Sequence, residues 1–287
     1  MPRAGYIPFM DGPRRSDASM RAPKAHNVLA VGDSVGLIVA SDFPATGRTV
    51  AGFGDLFAGL TGTYPVWETA PPPLGDQVGM TAQDYLDRWA ADVEAAVMPV
   101  HAVVGFCVGA VFAAALAERF GAARVVLFDP ERPDPDLLLR HYDGVIGGLS
   151  AAMLPAEIVA AREAGAAARR ATGDMPKLAD ALCAMLAEHG QPALRRTGLD
   201  ERRRAELVDT FTSFIAYLVA AAELDPLAVW ADATALSSAG PHNGLNPLPP
   251  EQRARIVARE LRFDVDHTGL LRDGRVIGAV RDLMGER

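Results

Sequence analysis

The hydrophobic pattern of the first half of the chain alternates between short β-rich runs and longer amphipathic stretches. Candidate strands occupy residues 27–31, 37–40, 64–68, 102–105 and 124–128. Between them, residues 49–60 and 81–97 show helical periodicity, and Tyr85, Trp89 and Val93 recur every four residues in the second stretch. Strands that alternate with helices predict a mostly parallel central sheet flanked by helices.

The pattern changes after residue 130, where the strand signal gives way to Ala-rich helical stretches at 154–171, 177–189 and 200–223. Strand-like runs return at 227–231 and 260–265, with a helical stretch, 250–260, between them and a last helix at 276–284. The division predicted is a flexible N-terminal arm (1–24), a first core segment (25–130), a helical insertion (131–225) and a C-terminal core segment (226–287).

Composition narrows the class of protein. Of 287 residues, 49% are hydrophobic and 22% charged, which is ordinary for a globular protein. The net charge of -8 provides no basic field for nucleic acid or anionic lipid, so neither is expected as a partner. The uncharged stretch 95–117 is interrupted by Pro99 and Gly105, and we interpret it as a strand and a helix rather than a membrane span.

The cysteine count and the N-terminal segment bear on location. Cys107 and Cys183 are too few for a disulfide framework, which favours a reducing cytoplasm. The first 24 residues contain no apolar stretch of the kind that a signal peptide needs. We therefore expect a cytoplasmic protein with two free thiols.

The segment around Cys107 carries the most specific chemical signal. An apolar run enters Gly105-Phe106-Cys107-Val108-Gly109, and a 12-residue helical pattern follows, ended by Gly121. Gly-x-nucleophile-x-Gly between a strand and a helix is the nucleophile-elbow pattern, here with cysteine in place of serine. At a helix N-terminus the amides and the dipole favour negative charge, so we expect a lowered thiol pKa at Cys107 and an oxyanion contact from the Val108 N–H.

Two other interpretations of this pattern stay open. Gly32-Asp33-Ser34-Val35-Gly36 also fits Gly-x-Ser-x-Gly, and Ser34 with His267 mimics a GDS-type serine esterase, although the Gly-x-Asn-Asp block of that family is missing. Ser34 has a strand-turn-strand setting, whereas Cys107 has strand, elbow and helix in order. Alternatively, Cys107 is a buried structural thiol in a non-catalytic binding module, because free cysteine is often buried.

A nucleophile needs a base and a group that orients the base. His267 follows a predicted strand near the C-terminus, where the chain order of elbow hydrolases puts the base. Asp129 follows the strand after the elbow helix, at the sheet edge where catalytic groups gather. Asp232, after the predicted strand 227–231, is the rival acid, and Asp264 and Asp266 are less favoured.

The assembled segments resemble the thioesterase family of nonribosomal-peptide and polyketide synthesis, including its type II members, over most of 36–287. The resemblance rests on the segments FPATG, GFCVG, VVLFDPERPD, LAVWAD and DHTGLL. It implies an α/β-hydrolase fold with a helical lid insertion, and an acyl or peptidyl substrate carried on the phosphopantetheine of a carrier protein. The FPATG loop is expected to supply a second oxyanion donor, with Thr46 preferred to Ala45.

The chain departs from the family pattern at two points: cysteine replaces serine, and the pair of glycines after the oxyanion loop is reduced to Gly47. Attack by Cys107 exchanges one thioester for another, so the intermediate retains its energy for hydrolysis, acyl transfer or cyclisation. The resemblance does not choose among these outcomes. Histidines and cysteines lack metal-ligand spacing, and no phosphate-loop pattern occurs, so no metal and no bound cofactor are expected.

Overall fold

The computed structural model describes residues 22–43, 50–60, 62–77 and 79–285, so most of the predicted N-terminal arm lies outside the described residues. Within them, seven strands form one sheet in the order β1-β3-β2-β4-β5-β6-β7. The strands are β1 His26–Ala30, β2 Leu37–Ser41, β3 Val66–Thr69, β4 Val100–Phe106, β5 Val125–Phe128, β6 Thr234–Ser237 and β7 Arg259–Arg262. Only β1 runs antiparallel to its neighbour, which confirms the predicted mostly parallel sheet.

Helices cover both faces of this sheet. In chain order they are α1 Phe53–Ala58, α2 Ala82–Ala96, α3 Gly109–Phe120, α4 Pro135–Gly148, α5 Pro155–Ala171, α6 Met175–Met185, α7 Gln191–Arg196, α8 Glu201–Ala221, α9 Leu227–Trp230, α10 Pro250–Ile256 and α11 Gly274–Met284. A π-helical turn, Leu186–Gly190, joins α6 to α7, and 3-10 turns span Ser150–Ala152 and His267–Arg272. Helices α4 to α8 follow β5 and precede β6, and we call them the insertion helices.

Apolar side chains alternate between the two faces of the sheet. Val103 packs on the face covered by α2, α3 and the insertion helices. Its neighbour Val104 packs on the other face, beneath α1 and α11. Strands buried on both faces are apolar at nearly every position, and for this reason β2 and β4 read as continuous hydrophobic runs in the sequence.

The strand predicted at 227–231 is wrong, because this segment forms the short helix α9. The amide of Trp230 donates to the Pro226 carbonyl at 2.9 Å, and its buried indole Nε1 donates to the Ala110 carbonyl at 3.1 Å. The strand that pairs with β5 is the following segment, β6, which the pattern did not reveal. Asp232 therefore lies exposed in the turn before β6, at the amino edge of the sheet, and not at the carboxyl edge.

Helix α4 was also absent from the predicted elements. Asp134 caps its N-terminus by accepting a hydrogen bond from the Leu137 amide at 2.7 Å. Gly144, Gly147 and Gly148 weaken its helical signal in the sequence. Other predicted elements differ at their ends: α1 is shorter than 49–60, α10 ends at Ile256, and β7 ends at Arg262. None of the described helices combines the length and the apolar character needed to cross a membrane.

Candidate active site

Cys107 occupies a strained bend between β4 and α3. Its backbone φ is +53°, in the left-handed region that residues other than glycine rarely adopt. A Cβ on Gly105 would lie 2.5 Å from Cα of Ala110, and a Cβ on Gly109 would collide with the carbonyl oxygen of Ser41. Glycine is therefore required on both sides of Cys107, as the elbow pattern predicts.

Asp129 occupies a second strained position beside the first. It follows β5 with φ +42°, and its side chain is completely buried. Strands β4 and β5 pair Phe106 with Phe128, so Cys107 and Asp129 each come directly after paired residues. The carboxylate Oδ1 of Asp129 accepts a hydrogen bond from the Ser238 amide at 2.8 Å, which fixes its orientation.

His267 begins the 3-10 turn after β7 and pairs with Asp129. Its Nδ1 lies 2.7 Å from Oδ2 of Asp129, and its ring stacks on Phe106 with centroids 4.7 Å apart and planes 18° apart. When Nδ1–H donates to the carboxylate, Nε2 is the acceptor nitrogen of the neutral imidazole. His267 and Cys107 line the same cavity, so the structure brings the three residues Cys107, His267 and Asp129 to one place.

The surroundings of the sulfur favour the protonated thiol. Burial raises the pKa of Cys107 well above its ordinary value, and the carboxylate of Glu131 raises it further. The Val108 amide, which points at the sulfur, has the opposite effect. The lowered pKa expected from the sequence is therefore wrong, because desolvation and nearby carboxylates outweigh the helix terminus.

Glu131 is a site residue that the sequence did not reveal. The thiol of Cys107 donates to Oε2 of Glu131 at 3.7 Å, and Oε1 of the same carboxylate pairs with Arg140 of α4. Burial raises the pKa of Glu131, and the Arg140 guanidinium opposes this shift. The only available signal was a charged residue two positions after Asp129, in a loop whose direction the sequence does not specify.

A cavity of about 550 Å³ opens above Cys107 and His267. Its walls are mainly apolar and come from the insertion helices and the elbow, and they include Val145, Leu149, Leu207, Phe211 and Phe214. A volume in this range is typical of small-molecule sites. The arrangement provides a thiol and an imidazole beside a chamber that accommodates an apolar group.

His141 is a further polar group on the cavity wall, contributed by α4. Its ring meets Phe214 edge-on, with centroids 4.7 Å apart. Burial lowers the pKa of His141 to about 4, and the nearby Arg140 and His267 side chains contribute to a lesser extent. At neutral pH this imidazole is therefore uncharged and able to donate or accept one hydrogen bond to a bound molecule.

Comparison with known proteins gives structural matches only, since no protein-family model and no curated protein sequence matches the chain. The enol-lactonase from Burkholderia xenovorans LB400 is 16% identical, with 91% of this chain and 96% of that chain covered and a TM-score of 0.54. A Vlm2 thioesterase domain bound with a dodecadepsipeptide is 16% identical over 92% of this chain and 98% of that chain, with a TM-score of 0.53. The chain has the α/β-hydrolase fold.

A third match is the four-domain nonribosomal peptide synthetase AB3403 bound to AMP and glycine. Here 90% of this chain and 20% of that chain are covered, at 13% identity and a TM-score of 0.56. The structures similar to this chain therefore include thioesterase domains and other α/β-hydrolase enzymes. At these identities, the similarity establishes the fold alone.

The α/β-hydrolase fold separates Ser34 from the other candidate residues. Ser34 lies in the turn before β2, and its amide donates to the Thr63 carbonyl at 2.9 Å. Because β2 and β4 are parallel, Ser34 lies at the amino edge of the sheet and Cys107 at the carboxyl edge. Asp264 and Asp266 are exposed, and it is Asp129 that contacts His267.

Of the two predicted oxyanion donors, the structure describes the one from Val108. Val108 is buried at the start of α3, with its amide directed at the sulfur. Thr46 and Ala45 lie in the segment 44–49, outside the described residues.

The second cysteine, Cys183, lies half-buried on α6. Among the residues that the structure describes, no group of three or more His, Cys, Asp or Glu side chains is arranged to hold a metal ion.

Proposed function

We propose that this protein is an enzyme that cleaves acyl thioesters through a covalent acyl-Cys107 intermediate. The supporting observation is that Cys107, at the strained elbow, lines the same apolar cavity as His267, which is paired with Asp129. A nucleophile, a base and a group that orients the base are the components of covalent acyl transfer.

In the first step, Nε2 of His267 takes the thiol proton while the sulfur of Cys107 attacks the carbonyl carbon of the substrate. The carbonyl electrons move to the oxygen, where the Val108 amide donates a hydrogen bond, and we assign the second donor to Thr46 or Ala45. The carbonyl then re-forms, the bond to the leaving sulfur breaks, and the leaving thiolate takes the proton from His267. Asp129 stabilises the imidazolium between these two transfers.

The raised pKa of Cys107 determines how this step is driven. A sulfur that is protonated at neutral pH cannot rely on a pre-formed thiolate and must lose its proton to His267 as the substrate arrives. The protein thus uses its cysteine in the manner of a serine enzyme, with general-base assistance.

In the second step, water, an alcohol, an amine or another thiol attacks the acyl-Cys107 thioester. His267 takes the proton of the incoming group, and the sulfur of Cys107 leaves and is reprotonated. Because a thioester retains more free energy than an oxyester, the intermediate suits transfer or cyclisation as well as hydrolysis. All three are outcomes of the same proposed site.

The substrate we propose is an acyl or peptidyl chain on the phosphopantetheine of a carrier protein, in natural-product biosynthesis. The similar structures named above as a thioesterase domain and a nonribosomal peptide synthetase support this class. The apolar cavity supports an acyl group without charge. Two cysteines without a disulfide support a cytoplasmic setting.

Intact-mass spectrometry after mixing with acyl-pantetheine thioesters tests the proposal. We expect the mass of one acyl group on the wild-type protein, only a trace on His267→Ala and none on Cys107→Ala. Cys107→Ser should accumulate a longer-lived adduct, because an oxyester is less reactive than a thioester. Adducts that persist on Cys107→Ala, or a wild-type protein that stays unmodified by short and long acyl donors alike, would contradict the proposal.

The same assay separates this function from a Ser34-dependent esterase. Ser34→Ala should acylate at the wild-type rate, since Ser34 lies at the opposite edge of the sheet from Cys107. Loss of acylation in a folded Ser34→Ala protein would favour the serine esterase.

A further inference from the structure

Sγ of Cys107 lies 3.7 Å from Oε2 of Glu131, within the distance at which a thiol donates a hydrogen bond to a carboxylate. A thiol has one hydrogen, so a Cys107 thiol that donates to Glu131 does not donate to His267. The proposed mechanism assigns no role to this carboxylate.

Glu131 is fixed at both ends. Its backbone amide donates to the carbonyl oxygen of Cys107 at 3.3 Å, so the two residues are joined through the main chain. Its carboxylate, 12% exposed, is held by Arg140 of α4. The contact with sulfur is therefore made by a restrained side chain and not by one that rotates freely in solvent.

Other charged and polar groups also act on the sulfur of Cys107. Asp42 and Asp129 act on Cys107 through space, and the Val108 amide points at the sulfur. The sulfur of Cys107 also interacts electrostatically with the buried hydroxyl of Tyr217 and raises its pKa. Among the described residues, Glu131 is the carboxylate that accepts a hydrogen bond from the thiol.

We propose that Glu131 is a positioning residue that holds the thiol hydrogen of Cys107 away from His267 in the resting enzyme, and so restrains the nucleophile until substrate is bound. This inference rests on the proposed role of Cys107 and deepens it. Two consequences follow from the chemistry of the contact. The resting sulfur is a poor nucleophile, and acylation of the sulfur removes the hydrogen that Oε2 of Glu131 accepts, while Oε1 stays paired with Arg140.

The rate of Cys107 alkylation by iodoacetamide, measured across pH by peptide mass spectrometry, tests this proposal. The thiolate sulfur forms the new S–C bond and iodide leaves, so the pH midpoint reports thiol ionisation. We expect the wild-type midpoint above the ordinary thiol value of about 8.5. Glu131→Gln should lower the midpoint by about one unit, which is roughly a tenfold faster reaction at neutral pH.

Glu118→Gln is the matched control, because it removes the same charge from an exposed position near the end of α3. Its Cys107 midpoint should equal that of the wild type. Cys183 provides a fold check within each protein, since its midpoint should not change in either variant. Should Glu131→Gln fail to fold, Glu131→Asp replaces it, because the shorter side chain withdraws the carboxylate from the sulfur and should also lower the Cys107 midpoint.

Two results would overturn the proposal: a wild-type Cys107 midpoint below about 8.5, or a midpoint that is the same in the wild type and in folded Glu131→Gln. Alkylation uses no acyl substrate, so its outcome is separate from that of the acylation assay. If the protein is not acylated but shows the expected alkylation profiles, the proposed thioester-cleaving function is wrong and the proposed role of Glu131 is still supported.

Discussion

Nδ1 of His267 lies 2.7 Å from Oδ2 of Asp129, whose side chain is completely buried. The other carboxylate oxygen accepts a hydrogen bond from the Ser238 amide, so Asp129 presents one oxygen to the imidazole in a fixed direction. This pairing sets both the tautomer of His267 and the direction of its second nitrogen.

Removal of the Asp129 charge should affect catalysis far more than substrate binding. Asp129→Asn keeps the shape of the side chain but loses the negative charge that stabilises the imidazolium, and we expect kcat to fall roughly 10³–10⁴-fold. Steady-state kinetics with an acyl-pantetheine thioester check this. Asp232→Asn is the control, because Asp232 is exposed before β6, and equal losses in the two variants would contradict the assignment.

The elbow glycine Gly109 should tolerate no side chain. In Gly109→Ala the added methyl group meets the Ser41 carbonyl, and such overpacking costs about 1–3 kcal/mol or more. The free energy of unfolding in urea measures the loss. Gly278→Ala on α11, where the added methyl meets open space, should be neutral or slightly stabilising. A Gly109→Ala protein as stable as the wild type would show that the bend differs from the one described.

The insertion helices should determine which acyl groups are accepted. Val145→Trp adds bulk to the cavity wall, and we expect kcat/KM to fall at least about tenfold for long apolar acyl-pantetheines relative to acetyl-pantetheine. Val159→Trp, at an exposed position on α5, should leave the ratio unchanged. A similar loss for short and long acyl groups would indicate damage to the fold and not a smaller cavity.

His141 should make the protein less stable in mild acid. Its pKa is about 4 in the folded protein, against about 6.5 when unfolded, so folding favours the neutral ring. The stability it contributes is present above pH 6.5 and is lost as pH falls towards 4, by up to about 3 kcal/mol. Urea unfolding at several pH values should therefore show a steeper acid loss in the wild type than in His141→Gln.

The buried His26 limits how flat the His141→Gln profile becomes. Burial lowers the pKa of His26 as well, so it acts in the same direction and some acid sensitivity should remain in the variant. Identical pH profiles for the wild type and His141→Gln would show that His141 is solvated when the protein is folded.

The sequence was most informative where glycine geometry and strand order determine the structure. Gly105 and Gly109 are required by close backbone contacts, and a strand–elbow–helix pattern leaves few alternatives for the placement of Cys107. Asp129 and His267 follow strands, and the parallel sheet brings the ends of those strands to one edge. The roles of these residues stay predictions until they are assayed.

Sequence reasoning failed where tertiary contacts override local preference. The run LAVWA has a high strand propensity, but burial of the Trp230 indole against α3 holds it in a helix, and the short β6 took its place in the sheet. The sign of the Cys107 pKa shift was missed for a related reason. Desolvation and the direction of the Glu131 side chain are properties of the folded chain, and the five residues of the elbow predict neither.

The pairing of Phe106 with Phe128 has a consequence for how the protein can change. Main-chain hydrogen bonds between two neighbouring strands fix the spacing of the nucleophile and the acid, so this spacing is independent of the side chains that surround the cavity. Substitutions in α4 or α8 can therefore reshape the chamber for a different acyl group while the reacting atoms stay in place. An insertion of one residue in β4 or β5 would instead displace the reacting atoms, because it would turn Cys107 or Asp129 to the other side of the sheet.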